Sequence, residues 1–269
     1  MSKNLIYQYY ITRPEEELLV EYGEDYQNQI DAMKVGTFKM KKYADSIGAD
    51  YFFADEEMFL VEKGELPNRL EIFFERLRII YDESFDKYDK VLFADCDVVP
   101  DTHDNIFDEC IGDVCGVYEH EWGEYYASWE EYQHLYDIIH KKYKKHGVDT
   151  PKMRGHLPIF NCGMYVMTRE GRLKCRELLD DWREWYDVEF EHQPWVLNDQ
   201  FWLSCQLMKY PQIVYQNLDR RWNGRSLNNT HYQILVNKFI HYHYQAEKHR
   251  LVNHWKHEYN EESDIPISP

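Results

Sequence analysis

The sequence has no Cys-x-x-Cys pair; its six cysteines stand at positions 96, 110, 115, 162, 175 and 205. Such spacings give neither a zinc-ligand pattern nor a disulfide framework, so the thiols read as reduced groups of a cytoplasmic protein. No apolar run approaches the ~20 residues of a membrane helix. The opening "MSKNLIYQYYI" lacks the long apolar core of a signal peptide. Basic charge is scarce, with 31 Lys and Arg against 49 Asp and Glu and a net charge of −18. A broad grip on nucleic acid or an anionic membrane needs clustered Lys and Arg, so neither partner is expected. A small basic pocket for one phosphorylated ligand stays compatible with that charge. Aromatic residues are plentiful, with 23 Tyr, 13 Phe and 8 Trp. That separates the chain from acidic, aromatic-poor disordered sequences. Its 269 residues are enough for one large α/β domain or two small ones.

Periodicity predicts alternating strands and helices through the first half. Strands are expected at 4–11, 50–55, 90–97 and 111–119, with helices within 24–47 and over 66–85. This order implies an α/β domain with a largely parallel sheet. Residues 120–157 break the rhythm and read as an insertion containing a helix at 129–147. Its Trp122, Tyr125, Tyr126 and Trp129 either stack on an acceptor sugar or pack the insertion onto the domain. Further on come a strand at 159–168, a helix over 169–186, a helix starting near 197 and a strand at 238–244. The polar segment 258–269 reads as a tail.

The stretch "KVLFADCD" (90–97) runs an apolar strand into two aspartates one residue apart. In an extended chain Asp95 and Asp97 share a face, and ligands of open parallel sheets sit beyond the carboxyl ends of strands. Two close carboxylates ask for a cation, a proton or water between them. Two hard oxygen donors suit Mg²⁺ or Mn²⁺, which also binds diphosphates. The same letters match the signature of haloacid-dehalogenase-like phosphatases, in which Asp95 would be the nucleophile and Asp97 the acid/base. That chemistry needs further acidic metal ligands at a strand end, and the best candidates, Asp180 and Asp181, lie in a helical pattern.

Five segments follow one another over roughly residues 70–250: "RLRIIYDESFDKYDKVLFADCDVVP", "FNCGMYVM", "NDQFWL", "RRWNG" and "FIHYHYQAEK". Together they resemble GT-A-fold glycosyltransferases, especially the glycogenin-like family 8 and its relatives. The resemblance implies a single GT-A domain over 1–257, its mixed, mostly parallel sheet flanked by helices. It implies a metal-dependent enzyme moving a sugar from a nucleotide-sugar donor, UDP-sugar first, to a hydroxyl of a glycan, protein or small-molecule acceptor. The "NDQ" segment points to retention of configuration.

By the same resemblance, Asp95 and Asp97 would meet Mn²⁺ or Mg²⁺ and the donor's ribose or phosphates. His241 would complete the coordination, with His243, facing the same side, as the alternative. Lys248 would neutralise the leaving diphosphate, and Arg76 would touch donor phosphate or sugar. Asn161 would hydrogen-bond sugar hydroxyls, Gly163 would permit close approach of the ligand to backbone, and Asp199 and Gln200 would lie beside the anomeric carbon. Tyr9, Tyr10 and Thr12 would bind uracil and ribose. The chain departs from the family in two places: Tyr242, not His, stands six residues before Lys248, and Gln245 replaces a usual Gly. A non-catalytic protein that binds nucleotide sugars is a third reading of the same pattern.

Overall fold

The computed structural model describes residues 3–11, 14–23, 26–56, 71–118, 129–150, 159–225, 237–242, 248 and 251–253. The chain runs β1 (Asn4–Tyr9), α1 (Glu15–Tyr22), α2 (Tyr26–Ile47), β2 (Asp50–Ala54), α3 (Glu71–Phe74), α4 (Arg78–Tyr81), β3 (Lys90–Ala94) and β4 (Val98–Pro100). It continues through α5 (Ile106–Glu109), β5 (Val114–Tyr118), α6 (Trp129–Lys145), β6 (Phe160–Thr168), α7 (Arg169–Leu178) and α8 (Asp199–Lys209). Three short strands close it: β7 (Tyr215–Asn217), β8 (Gly224–Arg225) and β9 (Phe239–His241).

Six strands form the main sheet in the order β2-β1-β3-β6-β5-β7. β6 is antiparallel to both its neighbours, and every other pairing is parallel. The sheet is therefore mixed and mostly parallel, with helices against it. Strand β3 is apolar on both faces because both are covered, as expected of a central strand in such a sheet. Leu5, Tyr7, Val91 and Phe93 belong to the core on one face. Ile6, Leu92 and Ala94 belong to the core on the other.

A second, three-stranded sheet has the order β4-β9-β8. Its register sets Val98 opposite His241, and Gly224 opposite Ile240. Two segments more than 120 residues from β4 are thus brought against the end of β3. None of β4, β7 or β8 was expected from the sequence, since two or three residues leave no periodicity to read.

Two expected helices are shorter than the pattern implied. Within 66–85, the described part is α3, a 3₁₀ turn at Glu75–Leu77, α4, and a second 3₁₀ turn at Glu83–Lys87. Tyrosine hydroxyls take the carbonyls of this segment: Tyr9 donates to Ile72 O at 2.8 Å, Tyr7 to Glu75 O at 3.2 Å and Tyr165 to Arg76 O at 3.2 Å. Tertiary bonds thus compete with the helical ladder. The helix expected over 169–186 stops at Leu178, and Leu179 turns extended. Beyond it Asp180 accepts from Lys209, Tyr210 and Gln206, which draws the chain out of helix. The Asp180–Asp181 pair therefore follows a helix rather than lying in one.

Helix α2 rests directly on the turn after β3. A β-carbon at Gly36 would lie 1.8 Å from Cys96 O. Helix propensity favours Ala over Gly by roughly 0.5–1 kcal/mol, while overpacking costs about 1–3 kcal/mol. Packing decides: Gly36→Ala is expected to lose about 1 kcal/mol or more, read as a lower urea midpoint. A midpoint at or above wild type would show that α2 does not bear on that turn.

Candidate active site

The site begins where β3 ends. Asp95 N–H donates to Gly163 O at 2.7 Å, tying the turn to β6, and Val98 N–H donates to Asp95 O at 3.0 Å. That carbonyl also accepts from Gln8 Nε2 at 3.1 Å, and Tyr51 OH holds Gln8 Oε1 at 2.9 Å. One residue on, the β4–β9 ladder takes over, with Tyr242 N–H donating to Asp97 O at 3.0 Å. Backbone bonds, braced by the Gln8 side chain, thus fix Asp95, Asp97 and His241 together. One ligand atom from each lies within 4.8 Å of the others.

The charges are few and enclosed. Asp97 presents Oδ2 to Lys248 Nζ at 3.0 Å and Oδ1 to His241 Nε2 at 3.3 Å. Arg76 spans the other two carboxylates, with Nη1 at 3.1 Å from both oxygens of Asp199 and Nη2 at 3.1 Å from Asp95 Oδ1. Asp199 is 1% exposed, Asp97 6% and Lys248 7%. Burial pushes the Asp95 carboxyl up to about 6, against the pull of Arg76 and with the help of Asp97. Burial would raise Asp97 too, but Lys248 and His241 outweigh it and hold that carboxyl well below the usual range. Burial also raises Asp199, and Arg76 only partly offsets it. Burial works against the charge of Arg76, yet Asp199 and Asp95 keep it protonated. Three carboxylates thus face two fixed cations, leaving one negative charge in a poorly solvated place when the imidazole is neutral.

A chain of amides borders these charges. Asn161 Oδ1 accepts from Gly163 N–H at 2.9 Å and from Asn223 Nδ2 at 2.8 Å. Gln200 Oε1 accepts from Cys162 N–H at 3.1 Å and from Asn161 Nδ2 at 3.4 Å. Asn198, not Asp199, caps α8 through Phe201 N–H, so Asp199 is released to meet Arg76. Asn223 is delivered by Trp222, which is fully buried, donates to Glu109 at 2.7 Å and lies under Lys238 Nζ at 4.1 Å. Gly163 lies at the centre, with three of these side chains packed closely against it. A β-carbon there would stand 2.5 Å from His241 Cε1, 2.8 Å from Asn161 Oδ1 and 3.0 Å from Asp95 Oδ2.

The structure thus brings Arg76, Asp95, Asp97, Asn161, Gly163, Asp199, Gln200, His241 and Lys248 into one network. Arg76 binds carboxylates of this chain, and the Tyr9 hydroxyl is committed to Ile72 O. Tyr10 is half-buried, its N–H donating to Ala54 O at 2.9 Å. Thr12, His243, Gln245, the tail 258–269, and Trp122, Tyr125 and Tyr126 lie outside the described residues, as does the side chain of Trp129. Gln8 and Asn223 were not singled out as site residues from sequence. A lone amide inside the apolar strand "LIYQYY" was the signal for Gln8, and the "WN" pair the signal for Asn223.

The donor set fits a hard divalent cation. It offers carboxylate oxygens and one imidazole. Asp97 Oδ1 is buried, with His241 Nε2 at 3.3 Å but no well-aligned hydrogen bond among the described residues, so it keeps the capacity to ligate a cation. Gly163 lets the His241, Asn161 and Asp95 side chains close in on its backbone, an approach that a β-carbon would block. An aspartyl-phosphate reading finds less support: Asp95 is tied to Arg76, and Asp180 is spent on Lys209, Tyr210 and Gln206.

Solved structures show the same architecture. A glycosyltransferase involved in glycosylation of the major capsid of PBCV-1 is similar at TM-score 0.53 and 15% identity, over 94% of this chain and 99% of that one. The bifunctional glycosyltransferase WbbM is similar at TM-score 0.51 and 13% identity, over 96% of this chain and 51% of that one. No protein-family model matches the sequence, and no curated protein matches it. The fold is therefore the mixed α/β fold of GT-A glycosyltransferases.

Gly163→Ala tests this packing, because the added methyl must displace His241, Asn161 or Asp95. The variant is expected to fold, by circular dichroism, and to bind Mn²⁺ ~10-fold or more weakly, the scale of outer-shell changes at metal sites. Unchanged Mn²⁺ affinity would show that the placement of Asp95 and His241 against Gly163 does not matter to a cation.

Proposed function

We propose that this chain is a metal-dependent glycosyltransferase that moves a sugar from a nucleotide-sugar donor, UDP-sugar first, to a hydroxyl of a glycan, protein or small-molecule acceptor. The observation that carries the reading is convergence. Side chains from six segments spread over residues 76–248 meet at the end of β3, inside a glycosyltransferase fold.

In this reading Asp95, Asp97 and His241 hold Mn²⁺ or Mg²⁺. Such an ion, when bound, stabilises charge that develops on the diphosphate as the glycosidic bond breaks. Lys248 acts on the same charge as an ammonium donor. The amide chain Asn223–Asn161–Gln200 orients the donor sugar over Gly163. Asp199, held by Arg76, places a negative charge beside the anomeric carbon and stabilises the cationic character that forms there. Groups fixed in advance in an enclosed site do this without reorganising. Retention of configuration is the expected stereochemistry, since among the described residues the buried carboxylate assigned to the sugar is Asp199 alone. The net charge of −18 disfavours a nucleic-acid partner.

Thermal unfolding tests the proposal. A true donor fragment at ~100-fold excess over its Kd stabilises by about 2.7 kcal/mol, a shift of roughly 5–11 °C for a chain of this size. UDP with Mn²⁺ is expected to give such a shift in the wild type, and Asp97→Ala is expected to lose the metal-dependent part. Equal stabilisation of the two proteins would count decisively against a cation at Asp97.

A further inference from the structure

We infer that the Lys248 ammonium stands in for the divalent cation: it holds Asp97 until metal enters and is then passed to the diphosphate. Metal and diphosphate consequently bind cooperatively. The inference rests on the metal-site reading above and concerns what Lys248 does before any ligand arrives.

The geometry supports it directly. Lys248 Nζ lies 3.0 Å from Asp97 Oδ2, and each side chain is 9% exposed. The pair is thus enclosed, and neither member can be left alone cheaply, because an unpaired buried charge is strongly destabilised. Asp97 is the ion-pair partner recorded for Lys248 among the described residues. A cation that takes Asp97 therefore evicts an ammonium that, among the described residues, has no second carboxylate within ion-pair distance. A diphosphate arriving alone meets an ammonium already engaged. Arriving together, each ligand supplies what the other displaces. Linkage then requires each to raise the affinity of the other by one common factor. Arg76 cannot take this part. It serves Asp95 and Asp199 at once, so moving it would strip two carboxylates rather than one.

The test is to titrate Mn²⁺ alone, UDP alone, and Mn²⁺ with saturating UDP into the wild type and into Lys248→Met. Calorimetry and the paramagnetic resonance of unbound Mn²⁺ read the affinities. The variant is expected to bind Mn²⁺ alone ~10-fold or more tightly than wild type, and to show a cooperativity factor smaller by a similar ratio. UDP alone is expected to bind the variant no better than the wild type. Mn²⁺ binding the variant alone no more tightly than wild type, with UDP-dependent metal binding intact, would overturn the exchange and leave the proposed function standing. No Mn²⁺ binding to wild type, with or without UDP, would overturn both. Lys248→Gln is the second variant. Should either unfold without metal, recovery of its melting transition on adding Mn²⁺ supports the exchange, and failure to recover overturns it.

Discussion

A ladder of three residue pairs, Val98–Pro100 against Phe239–His241, is the constraint on which the site depends. Side chains in a strand alternate between faces, so a slip of one residue would turn His241 away from Asp97. The register is held from both ends. On one side Asp101 N–H donates to Lys238 O at 2.7 Å, and on the other Tyr242 N–H donates to Asp97 O. Trp222 and Phe239 meet edge to face at 5.4 Å beneath it. Apolar packing thus sets the spacing of the polar groups above. The carboxylates and the imidazole contribute chemistry to a frame whose geometry they did little to create.

The charges in turn explain why the frame must be so closely tied. Two carboxylates share one guanidinium, and a third shares an ammonium and an imidazole. Each partner comes from a different stretch of chain. Buried pairs of this kind are weak sources of stability but costly to break. The three tyrosines that hold the carbonyls of 72–76 keep Arg76 from withdrawing along its own segment. Their aromatic bodies pack in the core beside Phe93, so one set of residues serves both the packing and the position of the guanidinium.

Much of this was legible in the sequence. The apolar run before Asp95, the helix expected within 24–47 and the strand expected at 159–168 correspond to β3, α2 and β6. The ordered motifs pointed to residues that the fold indeed brings together. What escaped had physical reasons. The antiparallel sense of β6 depends on its neighbours, not on its own letters. The break after Leu178 comes from Asp180 reaching residues 206–210. The partner of Arg76 could not be read as a carboxylate 123 residues away. Asn223 reads as an ordinary turn residue until Asn161 is placed beside it.

Cys96 stands between the two aspartates of the turn, but alternation sends its side chain the other way. Its thiol donates to Tyr9 O at 3.3 Å and is 3% exposed. Burial pushes that thiol up to about 12, so it stays protonated near neutral pH. A thiolate at this position would favour zinc and copper, which compete strongly for sulfur. By turning the sulfur inward and keeping its proton on, the fold hides the soft donor, and the turn offers only oxygen to an incoming ion.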